Sequence, residues 1–285
     1  KGCNFFFEAS VGGAIPIIRP MHQCLAANEI TAVAGILNGT TNFILTKMIE
    51  ENMKFSDALS MAQKLGYAEA DPTADVEGLD ACRKICILSS LAFGKHVYPE
   101  NVHTEGISAI TPRDIADAEK WGGAVKLIGT VRKLSDDKIM PYVAPHFVCR
   151  ENLISSVNDV FNAVMVSGDA IDKAMFYGRG AGKFPTASAV VADIIDMAKA
   201  DKTSISQVWE DADNSAFVEK IENNETEMYV RVKSSDKAVI EKFGAEIISD
   251  ENGEVSFVTP CLSEKEIDEK LAGTEVVSKI RILAM

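Results

Sequence analysis

VKLIGTVRKLSDDKIMPYVAPHFV, residues 125–148, is the stretch that decides the fold. Apolar and polar residues alternate through VKLIGTVRKL, the polar SDDK follows, and the alternation resumes through KIMPYVAPHFV. A period of two on both sides of a short polar turn predicts an antiparallel β-hairpin over 124–148. On its N-terminal side, Thr111-Pro112 opens a short helix. Further upstream, Ile30 to Leu37 reads as a strand, NGTTN at 38–42 as a polar turn, and residues near 42–52 and 56–65 as helices, the second stopped by Gly66. Asp75 is expected to cap a helix from about 76 to 93 that buries Leu79, Ile85 and Leu88 and stops at Gly94. Phe5 to Phe7 reads as a buried strand ending at Glu8, followed by a helix from near Pro16 with Ile17, Ile18, Met21 and Leu25 as its apolar stripe.

Downstream of the hairpin, residues 170–177 read as a strand, and GRGAGKFPTASAVVADIIDMAKA as a glycine-rich turn leading into a helix from about Pro185. Strands alternating with helices predict an α/β (α+β) domain over residues 1–200, with a mixed β-sheet covered by helices. A polar linker over 201–224 separates it from 225–285, where MYVRVKSS, KAVIEKFG, AEIISDENGEVSFVTP, SEKEIDEKL and VVSKIRIL follow the order β-α-β-β-α-β of a ferredoxin-like unit.

Composition agrees with two such units: 285 residues, 47% of them hydrophobic, suffice for two cores of about 150 residues each. A net charge of −13 argues against nucleic acid and anionic membranes as partners, and no basic patch offsets it. No apolar run reaches the roughly 20 residues of a membrane span, and no secretory leader is seen. The six cysteines are scattered, with only Cys82 and Cys86 close, at helical spacing and without further ligands; they read as packing thiols of a cytoplasmic protein. The chain opens without Met on an apparent strand, so a preceding segment is expected.

The chemistry concentrates in GYAEADPTADVEGLDACRK, residues 66–84. Glu69, Asp71, Asp75 and Asp80 crowd around Lys84, and such a run is costly near a core unless the charges are paired or used. Asp80 and Lys84 stand one helical turn apart, the spacing of many surface ion pairs; the upstream carboxylates single this pair out. Carboxylates around one lysine can hold a substrate ammonium beside a proton donor. In FFFEASVGGAIP, Glu8 and nearby carbonyls can converge on a hard cation, or the glycines simply let the chain reverse. GRGAGKFPT fits neither phosphate-loop spacing, leaving close backbone approach to a flat ligand. His22, His96, His103 and His146 lack ligand or triad spacing, and Trp121 and Trp209 read as packing residues.

Taken together and in order, NFFFEASVGGAIPIIRP, GILNGTTNFIL, AQKLGYAEADPTADVEGLDACRKICILSSLAFG and GRGAGKFPTASAVVADI resemble homoserine dehydrogenase over residues 1 to about 200. The resemblance implies the substrate and dimerisation domain of that family, with its nucleotide-binding domain upstream of this chain. It implies NAD(P)-dependent interconversion of L-homoserine and L-aspartate 4-semialdehyde on the route to threonine, isoleucine and methionine, with the chain alone binding cofactor poorly. By the same resemblance Lys84 is the proton donor, Glu69, Asp80 and Asp75 are substrate carboxylates, and Asn38, Gly39, Thr40 and Thr41 face the pocket. Gly180 and Gly182 contact the cofactor. Glu8, with the carbonyls of Val11, Gly13 and Ile15, holds a sodium or potassium ion. A homodimer or higher homo-oligomer is implied.

Residues 225–285 resemble more loosely an ACT regulatory domain binding an amino-acid effector, although SSDKAVIEKFG stands where that family has P-G-V-L. A pairing module for oligomers competes with that reading, and a non-catalytic amino-acid sensor is the alternative function. A semialdehyde dehydrogenase with a nucleophilic cysteine is disfavoured, because no cysteine sits by a glycine-rich turn.

Overall fold

The computed structural model describes residues 4–200, 209–211 and 214–284. In chain order the elements are β1 (Ile30–Ile36), α1 (Gly39–Glu50), α2 (Phe55–Lys64), α3 (Thr73–Val76), α4 (Leu79–Phe93), β2 (His103–Thr104), α5 (Pro112–Trp121), β3 (Gly123–Ser135) and β4 (Lys138–Cys149). They continue with β5 (Phe161–Gly168), β6 (Asp172–Arg179), α6 (Lys183–Lys199), α7 (Asn214–Phe217), β7 (Glu225–Thr226), β8 (Met228–Lys233), β9 (Ile247–Glu251), β10 (Glu254–Val258), β11 (Leu262–Ser263), α8 (Glu264–Leu271) and β12 (Val276–Ile282).

The expected hairpin is the centre of the molecule. β3 and β4 pair antiparallel from Gly123 opposite Cys149 to Ser135 opposite Lys138. The main sheet runs β6-β5-β1-β3-β4-β12-β8-β10-β9, with β2 also on β4. Among the described strands β2 and β12 lie parallel to β4, and Val218 adds an isolated parallel bridge to Ile139. The mixed sheet covered by helices is as the alternation predicts, and residues 225–284 follow the β-α-β-β-α-β order with a 3₁₀ segment, Ser234–Lys242, as the first helix. Their strands are joined to the first sheet where Arg281 and Ile282 of β12 register with His146 and Phe147 of β4. Of the expected linker, 201–208 and 212–213 lie outside the described residues.

α1 and α4 cover one face of β1, β3 and β4, closing a core that includes Ile44, Ile85, Leu88, Val125, Val131 and Phe147. A smaller cluster, with Ala34, Ile36, Ile128 and Met165, occupies the opposite face beneath Ile154 and Val157. The C-terminal strands are also locked to α5 by buried polar contacts: Arg231 to Asp114 at 2.9 Å, and Asp117 accepting from Tyr229 and Ser249 at 2.8 Å each. Burial and Asp114 hold the Tyr229 hydroxyl in its neutral form.

Four local expectations are corrected. Phe5 to Phe7 is not a strand: the segment has no strand partner, Phe5 is 79% exposed, and its ring stacks on Phe7 instead. The helix expected from Pro16 begins at Ile18 and passes into a π-helical turn, Pro20–Cys24; Ile17, Ile18, Met21 and Leu25 are buried as expected. Asp75 does not cap the long helix. It lies inside the single turn α3, Gly78 at φ 77° breaks the chain, and α4 then starts at Leu79, which is 41% exposed because it faces away from the core. β5 (FNAVMVSG) is absent from the expected elements, although Asn158-Asp159 before it and Gly168-Asp169 at its end are turn residues that bound a short apolar run.

Lys126 of β3 is fully buried. Its Nζ donates to the Val157 carbonyl at 2.6 Å, Asn158 Oδ1 at 2.9 Å and Asn42 Oδ1 at 3.3 Å, with no carboxylate in ion-pair contact among the described residues. Burial lowers its pKa to about 8, against the pull of Glu50 and Asp159. Between that value and its unfolded one the native state binds fewer protons than the unfolded state, so stability must rise with pH across about 8 to 10.5. Urea unfolding of wild type and Lys126→Met is expected to show the wild type gaining on the variant over that interval, by at most on the order of 3 kcal/mol. Parallel pH profiles would contradict this assignment.

Candidate active site

β1 ends at the mouth of the site. Asn38, the next residue but one, is extended and caps α1: its Oδ1 accepts from Thr41 N at 2.9 Å. The same amide turns its Nδ2 outward, donating to Asp75 Oδ1 at 2.7 Å and Asp80 Oδ2 at 2.9 Å. Asp80 Oδ2 also accepts from Lys84 Nζ at 2.6 Å, and Lys84 donates in turn to the Leu37 carbonyl at 2.9 Å. Lys84 is 19% exposed and Asp80 31%, so the pair sits at a wall rather than on an open helix face.

Of the four carboxylates expected to crowd around Lys84, Asp75 and Asp80 meet the Asn38 amide and Asp80 alone meets the ammonium; Glu69 and Asp71 do not join them. Thr40 Oγ1 donates to the Tyr67 carbonyl at 2.7 Å, tying α1 to the loop that carries Glu69. Glu69 is held through its backbone, whose carbonyl accepts from Gln63; its carboxylate is exposed and has no hydrogen bond or ion pair among the described residues. Asp71 turns aside to Thr73, which holds its carboxyl below the usual range.

Gly39, Gly180 and Gly13 come together around Asn162, which sequence reasoning missed. A Cβ on Gly180 would run into the Asn162 amide, and one on Gly39 would lie 3.4 Å from Asn162 Oδ1. A Cβ on Gly13 would collide with the Gly180 carbonyl. Asn162 is 1% exposed, and its amide oxygen and nitrogen have no hydrogen-bond partner among the described residues. The glycine-rich turn is therefore packed backbone to side chain against the start of α1. The signal was one asparagine in an otherwise apolar run of β5.

Glu8 lies beneath this junction, 4% exposed. Its Oε1 accepts from Ile17 N at 2.7 Å and Ile18 N at 3.0 Å, and its Oε2 from Arg19 N at 2.8 Å. The carboxylate thereby satisfies the N-terminal amides of the helical turn after it. Val11, Gly13 and Ile15 are buried on the same loop. No group of three or more His, Cys, Asp or Glu with metal-site geometry occurs among the described residues. Cys82 and Cys86 are both buried on α4, as packing thiols would be. His146 is buried and neutral, its pKa lowered to about 3 by burial and Arg281.

Lys84, held by one carboxylate and a backbone carbonyl just past the end of β1, stands on a helix-covered mixed sheet of α/β type. The homoserine dehydrogenase family model matches residues 16–195. The homoserine dehydrogenase of Bacillus subtilis (strain 168) is 42% identical over 265 residues, 93% of this chain and 58% of the relative. That of Synechocystis sp. is 48% identical over 199 residues, 69% of this chain and 46% of the relative. A homoserine dehydrogenase structure from Thiobacillus denitrificans matches with a TM-score of 0.85 at 36% identity, covering 97% of this chain and 69% of that one. A hyperthermophilic archaeal homoserine dehydrogenase mutant in complex with NADPH matches with a TM-score of 0.59 at 31% identity, over 69% of this chain and 56% of that one. The chain belongs to the homoserine dehydrogenase family. It spans about half the length of the curated relatives it matches.

Asn38→Asp keeps the capping acceptor but replaces a donor with a third carboxylate facing Asp75 and Asp80. Like charges raise carboxylate pKa values in the folded state, which costs stability above those values and not below them. The variant is expected to unfold at lower urea than wild type at pH 7, with the deficit shrinking toward about pH 4. A deficit unchanged by pH would contradict the cluster's electrostatics.

Proposed function

We propose that this chain is the substrate-holding part of an NAD(P)-dependent homoserine dehydrogenase, which interconverts L-homoserine and L-aspartate 4-semialdehyde in the biosynthesis of threonine, methionine and isoleucine. The observation that carries the proposal is Lys84, oriented by Asp80 and by the carbonyl of Leu37, the residue before the Asn38 cap of α1. In this reading Glu69, whose carboxylate is free, takes the substrate ammonium, and Asp75 and Asp80 complete its negative surroundings. Asn38 keeps those two carboxylates apart from each other's charge while Gly39 and Thr40 line the pocket at the start of α1.

NAD(P), when bound, supplies or accepts the hydride at the substrate carbon. Gly180 and Gly182 hold it, a role supported by their lack of side chains and by the unpaired Asn162 amide below the turn. As the carbonyl oxygen gains the electron pair of its double bond, Lys84 Nζ passes it a proton; in the reverse direction neutral Lys84 takes the hydroxyl proton.

Further parts of the reading rest on other features. Phe184, Val190, Val191, Ile194, Ile195 and Met197 leave an exposed apolar face on α6, which the nucleotide-binding part is proposed to cover. Glu8, buried without a cationic side chain on it, and the carbonyls of Val11, Gly13 and Ile15 are proposed to hold a monovalent cation, an all-oxygen set suited to a hard ion. The substrate domain is assigned to residues 1–200 and an ACT-like unit, with a possible amino-acid effector, to 225–285; a cytoplasmic homodimer completes the proposal.

In the complete enzyme, Lys84→Met is expected to lower kcat for semialdehyde reduction by roughly 100-fold or more while KM changes by less than about threefold. A kcat close to wild type would remove Lys84 from the mechanism.

A further inference from the structure

β12 delivers Arg281 to a place between the two halves of the sheet, where it is 3% exposed. Its Nε and Nη2 donate to the two oxygens of Glu264 at 2.7 and 2.8 Å, a forked pair within the C-terminal unit. Its remaining arm, Nη1, crosses to Glu105 Oε1 at 2.9 Å, an atom that also lies 2.6 Å from His103 Nε2. Glu105 is fixed along β4 by its own amide, which donates to the Val143 carbonyl at 2.8 Å. Burial acts against its charge, but His103 and Arg281 prevail and hold its carboxyl down to about 2.

The segment beyond Glu105 presses on the carboxylate-bearing turn. Gly106 lies so close to Val76 and Glu77 that a Cβ there would collide with the Val76 carbonyl and stand 2.5 Å from the Glu77 Cα. Ile107 N donates to the Val76 carbonyl at 2.8 Å. From the other side, the Glu105 carbonyl stands 3.1 Å from the place a Cβ on Gly78 would occupy. Residues 105–107 therefore clamp residues 76–78, and these lie between Asp75 and Asp80, the two carboxylates that Asn38 bridges at 2.7 and 2.9 Å. Hydrogen bonds of that length do not survive a displacement of an ångström.

We propose that Arg281 is a positioning residue: through Glu105 it sets the turn that carries Asp75 and Asp80, so that the C-terminal unit governs affinity for the amino-acid substrate and not for the dinucleotide. The inference rests on the assignment of Asp75, Asp80 and Lys84 to the substrate site. No element of the C-terminal unit touches the glycine-rich turn through this chain of contacts, which is why the effect falls on one substrate only. It gives residues 225–285 a constitutive role whether or not they bind an effector.

The test is steady-state kinetics of the complete enzyme with Glu105→Gln, Arg281→Lys, the double variant, and Asp80→Asn as a control on the site itself. Glu105→Gln keeps the shape of a part-exposed side chain and removes its charge, and Arg281→Lys keeps the charge but loses the fork. Each is expected to raise KM for L-homoserine roughly fivefold or more while KM for the dinucleotide stays within about twofold of wild type. The double variant is expected to be no worse than the worse single one, because both break one connection. Unchanged homoserine KM in Glu105→Gln, equal rises in both KM values, or additive losses would overturn the proposal. If Asp80→Asn is impaired and Glu105→Gln is not, only the coupling fails; if Asp80→Asn behaves as wild type, the site assignment fails.

Discussion

The side chain of Asn38 joins three stretches of chain that are far apart in sequence. Its oxygen starts α1, and its nitrogen holds Asp75 on one turn and Asp80 on the next helix. Two carboxylates this close to one another repel unless a donor lies between them, and an uncharged amide supplies that donor without competing with a substrate ammonium. Lys84 then finds Asp80 already oriented. An aspartate or lysine at position 38 has the wrong donor set for one of these tasks, which makes Asn38, at the head of α1 where the sequence suggested a turn, the pivot of the cluster.

The same economy of contacts places the rest of the molecule around the site. The β3–β4 hairpin gives β1 a partner on one side and β12 a partner on the other, so the strand that leads to Asn38 and the C-terminal strands share one sheet. Glycines at 39, 106 and 180 let backbones approach where a Cβ would collide: Gly106 lies against the Val76–Glu77 turn, while Gly39 and Gly180 bring the start of α1 and the glycine-rich turn to Asn162. Buried pairs such as Arg231–Asp114 and Arg281–Glu264 do not make the C-terminal unit stable by themselves; breaking one leaves an uncompensated buried charge, which fixes a single way of docking.

Much of this was legible in the sequence because it follows short-range rules. Alternation over 125–148 foretold the central hairpin, Thr111-Pro112 foretold α5 with its capping box, and Gly94 the end of α4. The i,i+4 spacing of Asp80 and Lys84 foretold their contact. What could not be read depends on tertiary partners. Whether Phe5 to Phe7 forms a strand depends on an adjoining strand, not on its own residues. Asp75 reads as a helix cap because an aspartate before a helical run has the same local sequence whether or not it caps, and the left-handed Gly78 separates it from α4. Asn162 and Glu105 were invisible because their significance lies in residues 123 and 176 positions away from Gly39 and Arg281 respectively.

The central claim is that this cluster of carboxylates receives the ammonium of an amino-acid substrate. The most direct test is calorimetric titration of the complete enzyme with L-homoserine and with 4-hydroxybutyrate, which is the same molecule without its amino group. The account predicts that 4-hydroxybutyrate binds at least roughly tenfold more weakly, since Glu69, Asp75 and Asp80 would face a ligand with no positive charge to offer. Equal affinities for the two would contradict it.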